Sequence, residues 1–148
     1  MSKKYKVYEY AIIRESAKIG KGTVIGPFCY IGDNVKIGKN CRIFYYTNIC
    51  QGTKIGDNVT VGPGTRFYDR DYLSSQPPTI EDNVIIHGGC SILPGITIHH
   101  DSLIGVASIV NRNIPPQEVW YGFGNPARFI TTRKQYEKDL ERKRLDQE

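Results

Sequence analysis

The chain has 148 residues and a net charge of +5 at pH 7, and 39% of its residues are hydrophobic. This length predicts a single domain, and no stretch approaches the roughly 20 apolar residues of a membrane span. No apolar segment follows the N-terminal lysines, so the sequence shows no secretory signal and predicts a cytoplasmic protein. The aromatic residues look scattered along the chain and no nucleic-acid motif occurs, so we expect no nucleic-acid partner.

A six-residue period organises the first half of the chain, after a polar N-terminal cap at residues 1–12 that has no period. Aliphatic or aromatic residues recur at Ile13, Ile19, Ile25, Ile31, Ile37, Ile43, Ile49, Ile55, Val61 and Phe67. The fourth residue after each is small or β-branched, as at Thr23, Cys41 and Thr65. A hexapeptide period is typical of a β-helix, in which each unit is one short strand plus a corner. We expect the aliphatic residues to form one buried ladder beside small corner residues.

The period stops and then returns with the same spacing. The second run is Ile80, Ile86, Ile92, Ile98, Ile104 and Val110, and Cys90, Ser108 and Ile114 hold the position four residues later. Phe67 and Ile80 are thirteen residues apart, one more than two periods, so we expect residues 68–79 to leave the solenoid as a loop. Charged loops on a rigid scaffold often carry function.

The period ends at Pro115-Pro116, because proline cannot donate to a strand ladder. The sequence therefore predicts a β-helix over residues 13–118 and a separate segment at 119–148, with a charged helix at 134–147. The four cysteines contain no CxxC pair and predict neither disulfides nor a metal site. Cys29, Cys41 and Cys90 fall at the small corner position, where cysteine behaves as a small apolar residue.

Three stretches resemble the hexapeptide-repeat acyltransferases: residues 82–95, residues 104–116 and the Gly-Asn-Pro-Ala-Arg phrase at 124–128. The resemblance covers about residues 13 to 130. It implies an all-β fold, a single-stranded left-handed parallel β-helix with a short C-terminal α-helix. With three hexapeptides to a coil, as in that family, sixteen units make about five coils. The resemblance also implies a homotrimer.

That family uses acetyl-CoA as the acyl donor, in a groove between neighbouring subunits. By resemblance, Gly88, Gly105 and Ala107 are small residues that let the pantetheine arm approach the backbone. Asn125 and Pro126 belong to the Gly-Asn-Pro-Ala-Arg phrase, which is similar to the one that follows the last coil in members of that family. Two cations, Arg112 and Arg128, suit the phosphates of the donor, because a guanidinium fork matches phosphate oxygens.

The resemblance is weakest at the general base. Many O-acetyltransferases of the family carry a His in the loop after the third coil, and this loop has none. Its acidic residues, Asp69 and Asp71, are similar to a stretch of the nucleotide-sugar N-acetyltransferases. His87 follows Ile86 where Gly is common, and is a candidate base or polariser of the thioester carbonyl. An amide near Gly88 or Gly89 is the candidate oxyanion donor.

We therefore expect transfer of an acetyl group to the amino group of a sugar, carried on a nucleotide. The alternatives are O-acetylation of a sugar hydroxyl with His87 as base, or a non-catalytic structural β-helix. A zinc enzyme of the γ-carbonic anhydrase type needs three spaced histidines. His99 and His100 are adjacent, so that spacing fails. Phe44, Tyr45, Tyr46 and Asn48 break the Gly-rich turn chemistry, which predicts a subunit contact, a substrate wall or half-packed aromatic residues that are merely exposed.

Overall fold

A computed structural model of the chain describes residues 4–71, 74–122 and 126–147. It is a left-handed parallel β-helix followed by one α-helix, as predicted. The strands, in chain order, are β1 (Lys6–Val7), β2 (Ile12–Ile13), β3 (Lys18–Ile19), β4 (Val24–Ile25), β5 (Tyr30–Ile31), β6 (Lys36–Ile37), β7 (Arg42–Ile43), β8 (Asn48–Ile49), β9 (Lys54–Ile55), β10 (Thr60–Val61), β11 (Arg66–Phe67), β12 (Thr79–Ile80), β13 (Ile85–Ile86), β14 (Ser91–Ile92), β15 (Thr97–Ile98), β16 (Leu103–Ile104), β17 (Ile109–Val110), β18 (Glu118–Tyr121) and β19 (Arg128–Thr132).

Three sheets form the sides of the coil. Sheet A has the order β1-β4-β7-β10-β13-β16-β18-β19, sheet B the order β17-β14-β11-β8-β5-β2, and sheet C the order β15-β12-β9-β6-β3. Each strand from β1 to β17 therefore pairs with the third strand after or before it. Ile25 pairs with Ile43 and Ile37 with Ile55, so one coil takes eighteen residues, or three hexapeptides.

The second residue of each two-residue strand points into the coil. In β13, Ile85 is half-buried and Ile86 is fully buried. Successive residues of a strand face opposite sides of a sheet, so the six-residue period puts every ladder residue inside. Each buried aliphatic side chain contributes about 1.5–3 kcal/mol from the removal of apolar surface from water. The predicted ladder is confirmed, with Phe67 and Ile80 as its members on either side of the loop.

The small corner residues also hold successive coils together. Thr23 Oγ1 donates to the Gly38 carbonyl at 2.7 Å, Cys41 Sγ to the Gly56 carbonyl at 3.0 Å, and Cys90 Sγ to the Gly105 carbonyl at 3.2 Å. A small residue with one donor fits this position, because it fills the corner and satisfies a carbonyl of the coil above. The three corner cysteines are buried and free, as predicted.

The structure has about six coils rather than the predicted five. Three positions outside the sixteen predicted ladder residues account for the difference: β1, which pairs with β4 although it lies in the predicted cap at residues 1–12, the bridge of Ile114 with Ile98, and β18. Ile114 was predicted to fill a corner, but it occupies the ladder, fully buried above Ile98. The interval from Val110 to this ladder position is four residues instead of six. The six-residue spacing therefore did not identify Ile114 as a ladder residue.

The predicted loop is confirmed, and it leaves the coil at one corner. Phe67 pairs with Ile92 in sheet B, and Ile80 pairs with Ile98 in sheet C. The residues between them therefore replace a single corner between these sheets, for which other coils use four residues. Because β12 begins at Thr79, the loop itself occupies residues 68–78.

The last strands and the helix close the upper end of the β-helix. Strand β19 runs antiparallel to β18, and helix α1 (Arg133–Leu145) follows it directly. Thr132 caps the helix, accepting a hydrogen bond from the Gln135 amide at 3.2 Å. None of the described residues of α1 is buried. Among the described residues, no helix has the length and apolar character needed to cross a membrane.

Three aromatic side chains stack on the corner between sheets A and B. Tyr10 and Phe28 have ring centroids 5.1 Å apart, and Phe28 and Tyr46 are likewise 5.1 Å apart. We call Tyr10, Phe28 and Tyr46 the aromatic column. The expectation that the aromatic residues are scattered is wrong here, because these three are spaced eighteen residues apart, which is one full coil.

Candidate active site

His87 lies at the corner between sheets A and B, directly after β13. Its backbone N–H donates to the carbonyl of Ile104 in the coil above at 3.0 Å. Its own carbonyl accepts a hydrogen bond from Thr65 Oγ1 in the coil below at 3.2 Å. Hydrogen bonds from the coils above and below therefore fix the backbone of His87, and with it the position from which its half-buried side chain extends.

Glycines lie above and below His87 in the same column of the corner. The pairing of Val61 with Ile86 and of Ile86 with Ile104 aligns Gly62 and Gly105 with it. A Cβ at Gly62 would lie 2.6 Å from the His87 carbonyl carbon, and a Cβ at Gly105 would overlap the ring of Tyr121. Because Gly62 has no side chain, the coil below can pack closely against His87. Because Gly105 has none, the ring of Tyr121 fits above it.

The electrostatic surroundings favour neutral His87. Burial lowers the pKa of His87, and the positive charge of Arg133 lowers it further. Arg133 is the first residue of α1, and its Nε donates to Glu137 Oε1 at 2.9 Å. A neutral imidazole has one nitrogen with a free lone pair, so His87 can accept a proton near pH 7.

Tyr121 and Tyr136 form the upper rim of this corner. Burial raises the pKa of Tyr121, and the nearby phenol of Tyr136, to which it is hydrogen-bonded, raises it further. Sequence reasoning missed Tyr121, whose ring lies over Gly105, its partner Tyr136, and Arg133, whose charge acts on His87. They come from β18 and α1, which follow the repeat, and no hexapeptide spacing connects them to it.

Three of the predicted donor-binding residues share this corner. Ala107 N–H donates to the carbonyl of Gly88 at 2.9 Å, and Gly105 begins the same turn of the coil above. Ala107 has a positive φ of 55°. Gly89 N–H is already donated to the carbonyl of Pro63 at 2.8 Å, which leaves Gly88 as the candidate amide for an oxyanion.

The remaining predicted donor-binding residues lie at the upper end of the β-helix, but not at a single corner. Pro126 forms a bridge with Ile109, and the buried Ala127 donates its N–H to the Ile109 carbonyl at 2.7 Å. Arg128 then begins β19 in sheet A, whereas Arg112 lies at the corner between sheets B and C, after Asn111; both are exposed. Asn125 lies outside the described residues.

The acidic loop lies at a different corner, between sheets B and C. Asp69 Oδ2 accepts a hydrogen bond from Gln51 Nε2 at 2.9 Å, and Asp71 Oδ1 accepts one from the Ser74 amide at 2.9 Å. These contacts fold the loop onto its own side of the β-helix. Within one chain, the structure therefore does not bring Asp69 and Asp71 together with His87.

The other two histidines occupy the third corner, between sheets C and A. His99 Nδ1 lies 3.0 Å from Glu81 Oε1, and His100 Nδ1 lies 2.7 Å from Asp101 Oδ2. Across the described residues, no group of three or more His, Cys, Asp or Glu side chains is placed to hold a metal ion.

A model of the bacterial transferase hexapeptide (six repeats) matches residues 16–43 and 34–68. The chain belongs to the hexapeptide-repeat family. Among the relatives of this hexapeptide-repeat protein is the acyl-[acyl-carrier-protein]–UDP-N-acetylglucosamine O-acyltransferase of Thermodesulfovibrio yellowstonii. The two are 39% identical over 102 residues, which cover 68% of this chain and 38% of that protein.

Two solved structures share the fold at low sequence identity. PerB from Caulobacter crescentus, in complex with CoA and GDP-perosamine, is 19% identical with a TM-score of 0.72, over 84% of this chain and 56% of that one. A variant of AntD, an N-acyltransferase from Bacillus cereus, was solved with dTDP-4-amino-4,6-dideoxyglucose and coenzyme A. It is 20% identical with a TM-score of 0.64, over 95% of this chain and 92% of that one. This hexapeptide-repeat protein thus spans less than two thirds of both the acyltransferase and PerB.

Proposed function

We propose that this protein is an N-acetyltransferase that uses acetyl-CoA as the acyl donor and acetylates the amino group of a nucleotide-linked sugar. The observation that carries the proposal is the state of His87. Its imidazole is held neutral by burial and by Arg133, at a corner whose turns are built from Gly88, Gly105 and Ala107. A neutral imidazole is the form that can take the proton which an amine nitrogen loses as it attacks.

The reaction balances with the residues of this corner. The sugar nitrogen attacks the thioester carbonyl carbon, the C–S bond breaks, and CoA leaves with its sulfur as a thiolate. His87 takes the proton that the nitrogen loses, and passing this proton to the thiolate restores the neutral imidazole. The Gly88 N–H is our candidate donor to the oxygen that becomes negative during attack.

The acyl donor fits the upper half of the same corner. Gly88 and Ala107 present little side-chain bulk to a slender chain that passes this corner. Arg128 begins β19 at the upper end of the β-helix, and Arg112 lies at the same end but at the neighbouring corner between sheets B and C. We assign these two cations to the phosphates of the donor, since guanidinium groups bind phosphate oxygens in pairs of hydrogen bonds. PerB and AntD were each solved with CoA and a nucleotide-linked sugar, which supports this pair of substrates.

We propose that the acidic loop acts at the active site of a neighbouring subunit. Asp69 and Asp71 lie at another corner of the β-helix, so one chain alone does not present them to His87. In a homotrimer with neighbouring β-helices side by side, the loop of one subunit faces a corner of the next. We propose that the loop contributes to the acceptor site in this way, with Asp69 or Asp71 orienting the ammonium group.

A second candidate function is O-acetylation of a sugar hydroxyl. It would use the same neutral imidazole of His87 as general base, which a hydroxyl needs more than an amine does. The two candidates differ in acceptor, and a panel of acceptors separates them.

The test is release of CoA thiol from acetyl-CoA with amino sugars, nucleotide-linked amino sugars and sugars without an amine. We expect turnover with nucleotide-linked amino sugars and a loss of roughly 10²- to 10⁴-fold in kcat for His87→Gln. His100→Gln is the matched control, because this exposed histidine lies at another corner, and it should keep full activity.

Two further variants test the binding assignments separately. Arg128→Ala should raise the KM for acetyl-CoA and leave the KM for the acceptor unchanged. Asp69→Asn and Asp71→Asn should affect the acceptor instead. Turnover only with acceptors that lack an amine would move the assignment to O-acetylation, and absence of both turnover and acetyl-CoA binding would exclude an enzyme.

A further inference from the structure

The aromatic column occupies a single corner position in three successive coils. The same backbone bond marks this position in coil after coil: Phe28 N–H donates to the Glu9 carbonyl at 3.2 Å, Tyr46 N–H to the Pro27 carbonyl at 3.2 Å, and Gly64 N–H to the Tyr45 carbonyl at 3.0 Å. Gly89 and Ala107 continue the series above Gly64, with bonds of 2.8 and 2.9 Å to the carbonyls of Pro63 and Gly88. The column position therefore changes from aromatic to small between Tyr46 and Gly64.

The aromatic residues hold a backbone conformation that bulky side chains seldom adopt. Tyr10, Phe28 and Tyr46 have φ values of 62°, 59° and 58°. Such a conformation costs about 1–3 kcal/mol per residue outside glycine, and strain of this kind is concentrated at functional sites. Their side chains are also well exposed, at 75%, 49% and 61% of the residue surface. Stacking between them offsets only part of this cost, at about 0.5–1.5 kcal/mol for each pair.

The space directly above Tyr46 is open. Gly64 occupies the next position of the column, and a Cβ built on it would have no atom of the described structure within 4 Å. The lower face of the Tyr46 ring is covered by Phe28, with the two ring planes only 11° apart. Tyr45 packs against Tyr46 as well, with ring centroids 5.9 Å apart and ring planes nearly perpendicular at 83°. The Tyr46 ring is thus supported by two neighbouring rings and lies next to an open position.

This open position is one coil below His87. His87 and Gly89 belong to the same corner turn of the next coil, and stacked strands lie about 4.8 Å apart. A ring that stacked on Tyr46 at the 5.1 Å spacing of the column would lie level with Gly64. A substituent on its upper side would then point to the coil that carries His87. Gly89 has no side chain and Ala107 has only a methyl group, so the column above stays open.

We infer that Tyr46 is the platform for the sugar ring of the acceptor, which stacks in the space over Gly64 and presents its amino group to His87. This inference rests on the proposed function. The face of an aromatic ring carries negative charge density, so it attracts the C–H groups of a saturated ring. Tyr46 is then a specificity-determining residue, and Phe28, stacked beneath it, holds its ring in place.

The test compares the two ends of the column. Tyr46→Ala and Tyr10→Ala each remove a terminal ring that stacks on Phe28, but only Tyr46→Ala removes the platform. The acceptors are dTDP-4-amino-4,6-dideoxyglucose and GDP-perosamine, with the full chain and with acetyl-CoA as donor. We expect Tyr46→Ala to raise the KM for the acceptor about 3- to 10-fold and to leave the KM for acetyl-CoA unchanged. Tyr10→Ala should alter neither, and Tyr46→Phe should restore the acceptor KM.

A second pair of variants adds to the column instead of truncating it. Gly64→Tyr places a fourth ring on Tyr46 and should abolish acceptor binding in calorimetry while acetyl-CoA still binds. Gly64→Asn is the matched control, because asparagine tolerates positive φ and leaves the face of Tyr46 accessible. Both variants keep the three native rings, so this pair remains informative if Tyr46→Ala does not fold.

The outcomes separate this inference from the proposed function. If the unsubstituted chain releases no CoA with either acceptor, the proposed function fails and the inference falls with it. If the unsubstituted chain is active and Tyr46→Ala and Tyr10→Ala have equal acceptor KM values, only the inference is overturned. A change in sedimentation for Tyr46→Ala, with an unchanged acceptor KM, would assign the column to contacts between copies of the chain and would also overturn it.

Discussion

Thr65 and His87 are joined across two successive coils by a hydrogen bond of 3.2 Å from Thr65 Oγ1 to the His87 carbonyl oxygen. Thr65 is fully buried, and the same type of bond joins other corners of the β-helix, such as Cys90 to Gly105. A hydrogen bond from a corner side chain to a carbonyl of the next coil recurs in this fold, and here it also fixes the position of the proposed base. Thr65 is a positioning residue in this sense, since it acts through His87.

Replacement of this threonine should affect both stability and turnover. Thr65→Val keeps the shape but removes the donor, so we expect the free energy of unfolding to fall by about 1–3 kcal/mol. The kcat should also fall while the KM for acetyl-CoA is unchanged. Thr65→Ser retains the hydroxyl and should restore kcat. A kcat for Thr65→Val equal to that of the unsubstituted chain would show that this bond only stabilises the fold.

The pH dependence of activity should reveal the influence of Arg133 on His87. Burial and Arg133 place the pKa of His87 below its ordinary value of 6.5, so the neutral base persists to lower pH. The acid limb of the kcat/KM profile is therefore expected below pH 6.5. Arg133→Gln removes the positive charge, raises the pKa of His87 and should move the acid limb to higher pH. An acid limb at the same pH in both proteins would argue against His87 as the titrating group.

The same shift has a consequence for stability. Because the pKa of His87 is lower in the folded state, the unfolded chain binds a proton more readily as the pH falls through 6.5. The contribution of neutral His87 to the free energy of unfolding is thus present above this pH and is lost below it. In urea titrations at pH 5 and pH 8, His87→Gln should show a smaller loss of stability between the two than the unsubstituted chain.

The two isoleucines of β13 offer a test of the buried ladder. Ile86 is fully buried and Ile85 only partly so, although they are adjacent and chemically identical. Ile86→Ala should lower the free energy of unfolding by about 2–5 kcal/mol, because it leaves a cavity in the coil. Ile85→Ala is the matched control and should cost clearly less. Equal losses in urea unfolding at one chain concentration would contradict the inward orientation of Ile86.

The four thiols should differ sharply in reactivity. Burial raises the pKa of Cys90 to about 11, and it also raises the pKa of Cys29 and Cys41. The thiolate is the reactive form, so these three should resist a disulfide reagent at pH 8 until the chain unfolds. Cys50 is partly exposed and should react first, though slowly, because burial raises its pKa too. Mass spectrometry of the labelled native chain, with Cys50→Ser as control, would reveal any faster site.

Much of the fold could be predicted from the sequence because its repeat is one-dimensional. Positions six residues apart fall on the same kind of strand, and positions eighteen residues apart fall on the same strand of the next coil. Ile43 above Ile25, and Ile55 above Ile37, follow from this arithmetic. The predicted cap at residues 1–12 was wrong at Val7, which pairs with Ile25 and lies six residues before Ile13. The prediction was wrong where the arithmetic changes, at Ile114, which reaches the ladder after four residues instead of six.

The candidate site was less predictable, and the assignments of Gly88, Gly105, Ala107, Arg112, Pro126 and Arg128 to the acyl donor remain predictions. The sequence placed His87 in a turn after a buried strand. It did not reveal that the charge of Arg133 acts on His87 or that Tyr121 lies over Gly105, because β18 and α1 fold back onto the coil outside any repeat. The eighteen-residue spacing of Tyr10, Phe28 and Tyr46 was present in the sequence and is the signal that would have found the aromatic column.

The sequence by itself determined the β-helix, its ladder, its corner residues and the site of its loop, because each of these depends on the local period of side chains along one strand and turn. The tertiary structure decided which corner each functional group occupies. It placed Asp69 and Asp71 on one corner and His87 on another, and it lowered the pKa of His87 through burial and the charge of Arg133. Burial and charge depend on distances between segments remote in sequence, and a local pattern contains no information on such distances.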